Sequence, residues 1–182
     1  MKCDRVKKRH CRWGLLLLFV ISCAGGPNIR EPNTAHVIKG VPFYPQEENQ
    51  CGPASLAGVL NYWGVPVSPA EIAQEIYSRS AKGTLNLDLR FYAERKGLTA
   101  KHYEGSWEDL KKKVDSGYPL IVLVDHGFWV YHQYHFMIVL GYDEGGIVAH
   151  SGKEKHRFVP LDRFLKSWRR AASWTLFIVP ER

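Results

Sequence analysis

Residues 41–57 read VPFYPQEENQCGPASLA, and Cys51 stands at the start of a helical pattern within them. Apolar residues recur after it at helical spacing: Leu56, Val59, Leu60 and Trp63. Pro53 is tolerated in the first turn of a helix. A helix amino terminus favours the thiolate form of a cysteine, and Gly52, without a Cβ, lets a substrate carbonyl approach. Free backbone N–H groups there could face an oxyanion. The stretch therefore predicts a nucleophilic thiol at a helix tip.

The rest of the chain predicts more helices and then strands. Helices are expected from Ser68, where Ser68-Pro69-Ala70-Glu71 forms a capping box, after Thr84 up to Gly97, and from Ser106 to Gly117. Apolar runs rich in β-branched residues predict strands over 120–124, 136–140, 147–149 and 174–179, with a short helix over 160–170. The expected fold class is α+β, with N-terminal helices packed on a C-terminal antiparallel sheet in two segregated layers.

The amino terminus has the pattern of a targeting segment. Residues 1–13 carry six Lys and Arg, and a nine-residue apolar run follows, which is too short for a membrane span of about 20 residues. The run ends in Val20-Ile21-Ser22-Cys23, which resembles a bacterial lipobox with Cys23 as the lipidated residue. An ordinary secretory signal is the alternative. We expect residues 1–22 to be a lipoprotein signal peptide, 23–36 a lipidated cysteine with a flexible tether, and 37–182 one domain.

Removal of the signal peptide changes both the charge and the cysteine content. It takes six of the 25 Lys and Arg and one of the 18 Asp and Glu, so the net charge falls from +7 to +2. A nearly neutral chain gives no support to nucleic-acid binding. With Cys3 and Cys11 removed and Cys23 lipidated, Cys51 is the sole remaining thiol. A lone thiol in an exported protein is either a small buried hydrophobe or a reactive group.

Two segments together resemble a known family. Residues 41–57, with YHFMIVLGYD at 134–143, resemble the bacteriocin-processing (double-glycine) peptidase-like family of papain-like cysteine peptidases. More closely, the chain is similar to stand-alone bacterial lipoproteins of that family, which share Ser151-Gly152 and the pattern FLKSWRRA at 164–171. The resemblance covers nearly all of residues 40–180. It implies a papain-like fold and a thiol hydrolase.

The resemblance also implies a role for three residues. Cys51 is the expected nucleophile, His135 its general base and later the acid for the leaving amine, and Gln46 a side-chain donor in the oxyanion hole. Gln46 as a surface loop residue and His135 as a buried strand histidine are the alternatives. Family members usually carry an Asp on the strand after the catalytic His, whereas this chain has His150 and Ser151 there. Either could orient His135, so we expect a dyad with an unusual orienting residue.

The implied function is a cell-envelope lipoprotein cysteine peptidase that forms an acyl-enzyme. Its expected partners are a peptide or protein substrate and the membrane that holds its lipid, which is the outer membrane where the organism has two. No cofactor, metal, ATP or nucleic acid is expected. A non-catalytic peptide-binding lipoprotein and an acyl transferase using the same thiol are the alternatives. The aromatic loop Phe128-Trp129-Val130-Tyr131 could form a wall of the cleft or a hairpin tip packed on the core.

Overall fold

The computed structural model describes residues 36–46 and 49–181. The signal peptide expected over 1–22, the lipid site at Cys23 and all of the expected tether except His36 lie outside the described residues. Within the described ranges, no helix is both long and apolar enough to cross a membrane.

Helices and strands alternate through much of the described chain. The helices are α1 (Cys51–Tyr62), α2 (Pro69–Ile76), α3 (Asn86–Arg95), α4 (Trp107–Asp115) and α5 (Leu161–Arg170). The strands are β1 (His36–Val37), β2 (Tyr77–Ser78), β3 (Gly83–Thr84), β4 (Leu98–Glu104), β5 (Leu120–Asp125), β6 (Tyr134–Asp143), β7 (Gly146–Ser151), β8 (Glu154–Pro160) and β9 (Trp174–Pro180). The fold class is α+β, as the sequence predicts.

The main sheet is antiparallel with the order β4-β9-β5-β6-β7-β8, and β1 adds to β6. The sequence predicts its central strands but not β4 or β8. Strand β4 lies between two helices and pairs along its whole length with β9. Strand β8 is mostly exposed and charged, as expected for an edge strand, so it shows no apolar run.

The expectation of two segregated layers is wrong, because helices cover both faces of the sheet. On β6, the side chain of Ile138 lies against Gly58 of α1, whereas Met137 lines a cavity beside Phe164 of α5. Consecutive residues of a strand point to opposite faces. Helices α1 and α5 therefore pack on opposite sides of β6.

The predicted helix start at Ser68 is confirmed in detail. The Ser68 hydroxyl accepts from the backbone N–H of Glu71, and the Glu71 carboxylate accepts from the backbone N–H of Ser68. This reciprocal pair is a capping box. Helix α2 then packs with α3 beside α1, so that the helix carrying the predicted nucleophile is buried on several sides.

Candidate active site

Cys51 is the first residue of α1, where the sequence predicts it, and it is partly buried. The backbone N–H of Phe136 on β6, the residue after His135, lies close enough to the sulfur to lower the pKa of the thiol. Burial raises the pKa of the Cys51 thiol, and the N–H groups of Phe136, Gly52 and Cys51 itself only partly offset this. The thiol therefore lies beside the strand that carries the predicted base, but in its neutral form.

Gly52 is needed for a reason that the sequence does not reveal. A Cβ at this position would lie 2.9 Å from the Cβ of Thr84 and 3.2 Å from its hydroxyl oxygen. Both distances are shorter than ordinary van der Waals contact. The small residue after the thiol therefore lets β3 approach α1, in addition to any role in admitting substrate.

His135 lies near the start of β6, opposite Val124 of β5, and is partly buried. Its Nε2 lies 3.0 Å from the hydroxyl oxygen of Ser151. Its ring lies 5.7 Å from the ring of His126, centroid to centroid. Burial, and then repulsion from His126 and Arg157, lowers the pKa of His135 to about 4. The imidazole is therefore neutral at pH 7 and able to accept a proton.

His150 does not contact His135, so of the two predicted orienting residues only Ser151 is in place. The Nε2 of His150 donates to the carbonyl oxygen of Val41 at 3.1 Å, and its Nδ1 accepts from the backbone N–H of His156 at 3.2 Å. Nε2 thus holds the segment before α1 to the sheet, and Nδ1 joins β7 to β8. Burial lowers the pKa of His150 to about 4, so its ring is neutral and structural.

Gln46 is buried, with 8% of its surface exposed, which excludes the reading of a surface loop residue. Its backbone N–H donates to the carbonyl oxygen of Gly152 at 3.0 Å, next to Ser151. Its side-chain Oε1 is buried without a hydrogen-bond partner among the described residues. The unpaired atom is an acceptor, whereas an oxyanion-hole role would use the Nε2–H donors of the same amide.

Asp125 is the site residue that the sequence does not single out. It ends β5, is 2% exposed, and lies 2.7 Å from Nδ1 of His132 and 3.3 Å from Arg170. It also accepts from the backbone N–H groups of Gly127 and Gln133. Burial raises the pKa of Asp125, but these hydrogen bonds and the Arg170 charge outweigh burial and hold it well below its usual range. An acid directly after the apolar run 120–124 is the signal that could have identified it.

The ion pair of Asp125 fixes both ends of the loop between β5 and β6. The aromatic side chains at the tip of that loop point into solvent, and Trp129 is 84% exposed. The expectation of a tip packed on the core is therefore wrong. The exposed loop precedes His135 by only a few residues, so it stands at the edge of the candidate site.

The described residues hold no group of three His, Cys, Asp or Glu side chains placed to bind a metal ion. The groups able to act chemically are a neutral thiol, a neutral imidazole and a buried amide. The imidazole Nε2 is directed at Ser151, which leaves Nδ1 as the atom that can take the thiol proton.

Comparison with known proteins places this geometry in context. The model of the Peptidase_C39 like family matches residues 38–175. A search of curated proteins found no match.

Solved structures share the fold over most of the chain. A protein described as a C39-like peptidase from Bacillus anthracis has 20% identity and a TM-score of 0.68, over 80% of this chain and 97% of its own. The peptidase domain of Streptococcus ComA, a bifunctional ABC transporter in a quorum-sensing pathway, has 23% identity and a TM-score of 0.65, over 78% and 100%. A double glycine motif protease from an AMS/PCAT transporter, solved with its leader peptide, has 25% identity and a TM-score of 0.63, over 78% and 93%.

Proposed function

Because this chain belongs to the Peptidase_C39 like family, we propose that it is a cysteine peptidase that hydrolyses peptide bonds through Cys51, with His135 as the general base. The observation that carries the proposal is the position of the thiol. It lies at the tip of α1, where the N–H of Phe136, the residue after His135, lowers the pKa of the thiol.

The neutral state of both groups suggests the order of the proton transfers. Nδ1 of His135 takes the thiol proton as the sulfur attacks the carbonyl carbon, and the resulting oxyanion lies toward the Gln46 amide and the Cys51 backbone N–H. The carbon–nitrogen bond then breaks, and the imidazolium gives its proton to the departing amine. Water next attacks the thioester with His135 again as base, which releases the acid and restores the thiol.

Nε2 of His135 is hydrogen-bonded to Ser151, so contact with the Cys51 sulfur falls to Nδ1 of the same ring. Catalytic hydrogen bonds are often long in substrate-free enzymes and tighten when substrate binds. If the Ser151 hydroxyl accepts a hydrogen bond from Nε2–H, the Nδ1 lone pair points away from Ser151 and is available to the thiol.

We further propose that the enzyme acts in the cell envelope, held there by a lipid on Cys23. This rests on the sequence Val20-Ile21-Ser22-Cys23 and on the targeting pattern before it. Mass spectrometry of the mature amino terminus tests it: a diacylglyceryl cysteine at position 23 is expected, and Cys23→Ala should abolish both cleavage and lipid. An unlipidated amino terminus at another position would contradict the anchor but not the peptidase.

A non-catalytic peptide-binding protein is the second candidate, favoured by one observation. Ser151 contacts His135 where family members usually carry an acid, and a comparable triad loses about 10⁴-fold in rate without a functional acid. An acyl transferase would form the same thioester but would transfer its acyl group to an amine instead of to water.

Incubation with a peptide library, read by mass spectrometry, distinguishes these functions. The peptidase predicts new termini, with cleavage after small residues such as Gly-Gly as the first sequences to examine, and none with Cys51→Ala. Peptide products joined to an added amine would indicate acyl transfer. Saturable binding with equal affinity to wild type and Cys51→Ala, without any product, would indicate the binding protein.

A further inference from the structure

A cavity of about 230 Å³ lies behind Ser151, on the face of the sheet that α5 covers. Its polar lining comes from separate parts of the chain: His126 after β5, Ser151 at the end of β7, Arg157 on β8 and Arg163 on α5. This volume holds several water molecules, each of about 30 Å³, so it can accept a small organic ion.

The ionisable side chains that line the cavity are all basic. No Asp or Glu lines it, and Arg163 makes no ion pair with an acid among the described residues. Arg157 lies 3.2 Å from Glu154, but both side chains are largely exposed, and such pairs are weak. Two guanidinium groups without a fixed carboxylate partner in the cavity favour an anion, and guanidinium geometry suits a carboxylate or phosphate.

Two residues that line the cavity also contact or approach the proposed base. Ser151 Oγ belongs to its lining and lies 3.0 Å from His135 Nε2, and the His126 ring, which also lines it, is 5.7 Å from the His135 ring. Asp125 is the nearest buried acid along the chain, but its oxygens are taken by His132, Arg170 and backbone N–H groups. Among the residues that the structure describes, positive charge therefore acts on His135 and no available negative group lies beside it.

We propose that this cavity binds a small oxyanion, a carboxylate above all, which supplies the negative charge that a fixed acid supplies in other members of the family. The inference rests on the proposed function of Cys51 and His135. The anion would neutralise Arg157 and Arg163, and it would stabilise the imidazolium that forms when His135 takes the thiol proton. Activity would then depend on the anion, which comes either from solution or from the substrate's own carboxylate.

Binding can be measured without catalysis. Acetate is titrated into the full chain carrying Cys51→Ala at pH 7 and constant ionic strength, while the imidazole signals of His126 and His135 are followed by NMR. Saturable shifts of both signals are expected, with affinity reduced at least about fivefold by Arg163→Gln. Arg169→Gln, on the same helix but outside the cavity lining, should leave the affinity unchanged. Absence of saturation, or equal affinity in Arg163→Gln and Arg169→Gln, would overturn the site.

Activation is measured by the rate at which neutral iodoacetamide alkylates Cys51 in the otherwise unaltered chain. Saturating acetate should raise this rate by about tenfold, as expected if the pKa of His135 rises by about one unit. Acetate that binds without raising the rate would overturn the activating role. This experiment separates the inference from the proposed function. If wild type and His135→Ala react equally fast while acetate still binds, His135 is not the base for Cys51, but the cavity is still an anion-binding site.

Two matched peptides identify the source of the anion. A cleavable peptide with a free terminal carboxylate is compared with its terminal amide. If the substrate supplies the anion, the amide loses kcat/KM and acetate restores it. If solution supplies it, acetate stimulates both peptides equally. If acetate stimulates cleavage of neither peptide and the amide is cleaved as fast as the free carboxylate, the inference is contradicted.

Discussion

The Nε2 atom of His135 lies 3.0 Å from the hydroxyl oxygen of Ser151, on the strand where the family resemblance implies an orienting carboxylate. A carboxylate only accepts hydrogen bonds, so it selects the Nε2–H tautomer and stabilises the imidazolium. A hydroxyl can donate or accept, and it carries no charge. The contact therefore positions the imidazole but fixes neither its tautomer nor its charge.

Ser151→Asp should make Cys51 more reactive. The introduced carboxylate would raise the pKa of His135 and select the tautomer with Nδ1 free, so the rate of peptide cleavage should rise, by up to about tenfold per unit of pKa gained. Ser151→Ala, which removes the hydrogen bond without adding charge, is the matched control and should be slower than wild type. An unchanged or lower rate in Ser151→Asp, with the fold intact by circular dichroism, would contradict this.

Gln46→Ala should lower kcat and leave KM nearly unchanged. Loss of one oxyanion-hole donor costs about 10²- to 10³-fold in rate, because the bond forms only with the developing charge. The side chain is buried, and its loop is held by a backbone hydrogen bond to Gly152 that the substitution keeps. Steady-state kinetics with a peptide that the enzyme cleaves measure kcat and KM separately. A rise in KM at constant kcat would assign Gln46 to substrate binding instead.

Gly58→Ala should lower the free energy of unfolding by about 1–3 kcal/mol, the usual cost of overpacking. A Cβ there would lie 2.5 Å from Cδ1 of Ile138 and 2.9 Å from the carbonyl oxygen of Pro42. Gly83→Ala is the control, since the nearest atom to its Cβ lies 3.9 Å away. Urea denaturation measures both variants. Equal stability of the two would show that α1 and β6 are packed less closely than described.

The protein should lose stability as the pH falls from about 6.5 toward 4. The pKa of His150 and of His135 is about 4 in the folded protein, against about 6.5 in an unfolded chain, so the unfolded state binds more protons in this window. Above the unfolded pKa the two states are equally neutral and the effect vanishes. His150→Gln keeps a donor for Val41 without a titrating ring, so its stability should depend less steeply on pH. An identical slope in wild type and His150→Gln would exclude His150 as a contributor.

The sequence predicts the features that depend on local patterns. The capping box at Ser68, the helix beginning at Cys51 and the central strands follow from spacing and side-chain type. The family resemblance adds the association of Cys51 with the strand of His135. These features require only neighbouring residues or a recognisable pair of motifs.

Other features depend on contacts between distant parts of the chain. Ser151 contacts His135, whereas His150 contacts Val41. Which of two adjacent side chains points toward His135 cannot be read from the sequence. The sequence also predicts an ionised thiol, and the structure corrects this because burial outweighs the N–H groups around the sulfur. The anion cavity joins segments that lie far apart in sequence, so composition alone gave no sign of it.

The pH dependence of Cys51 alkylation, in wild type and in His135→Ala, tests the central claim most directly. Iodoacetamide labelling is followed by mass spectrometry of the peptide that contains Cys51. If His135 takes the thiol proton as the sulfur attacks, the wild-type rate falls less steeply with pH than that of His135→Ala until about pH 4, where His135 becomes protonated and the advantage ends. His135→Ala should instead lose about tenfold in rate per pH unit below the thiol pKa, since only the thiolate reacts. Superimposable profiles for the two proteins would contradict the assignment of His135 as the base.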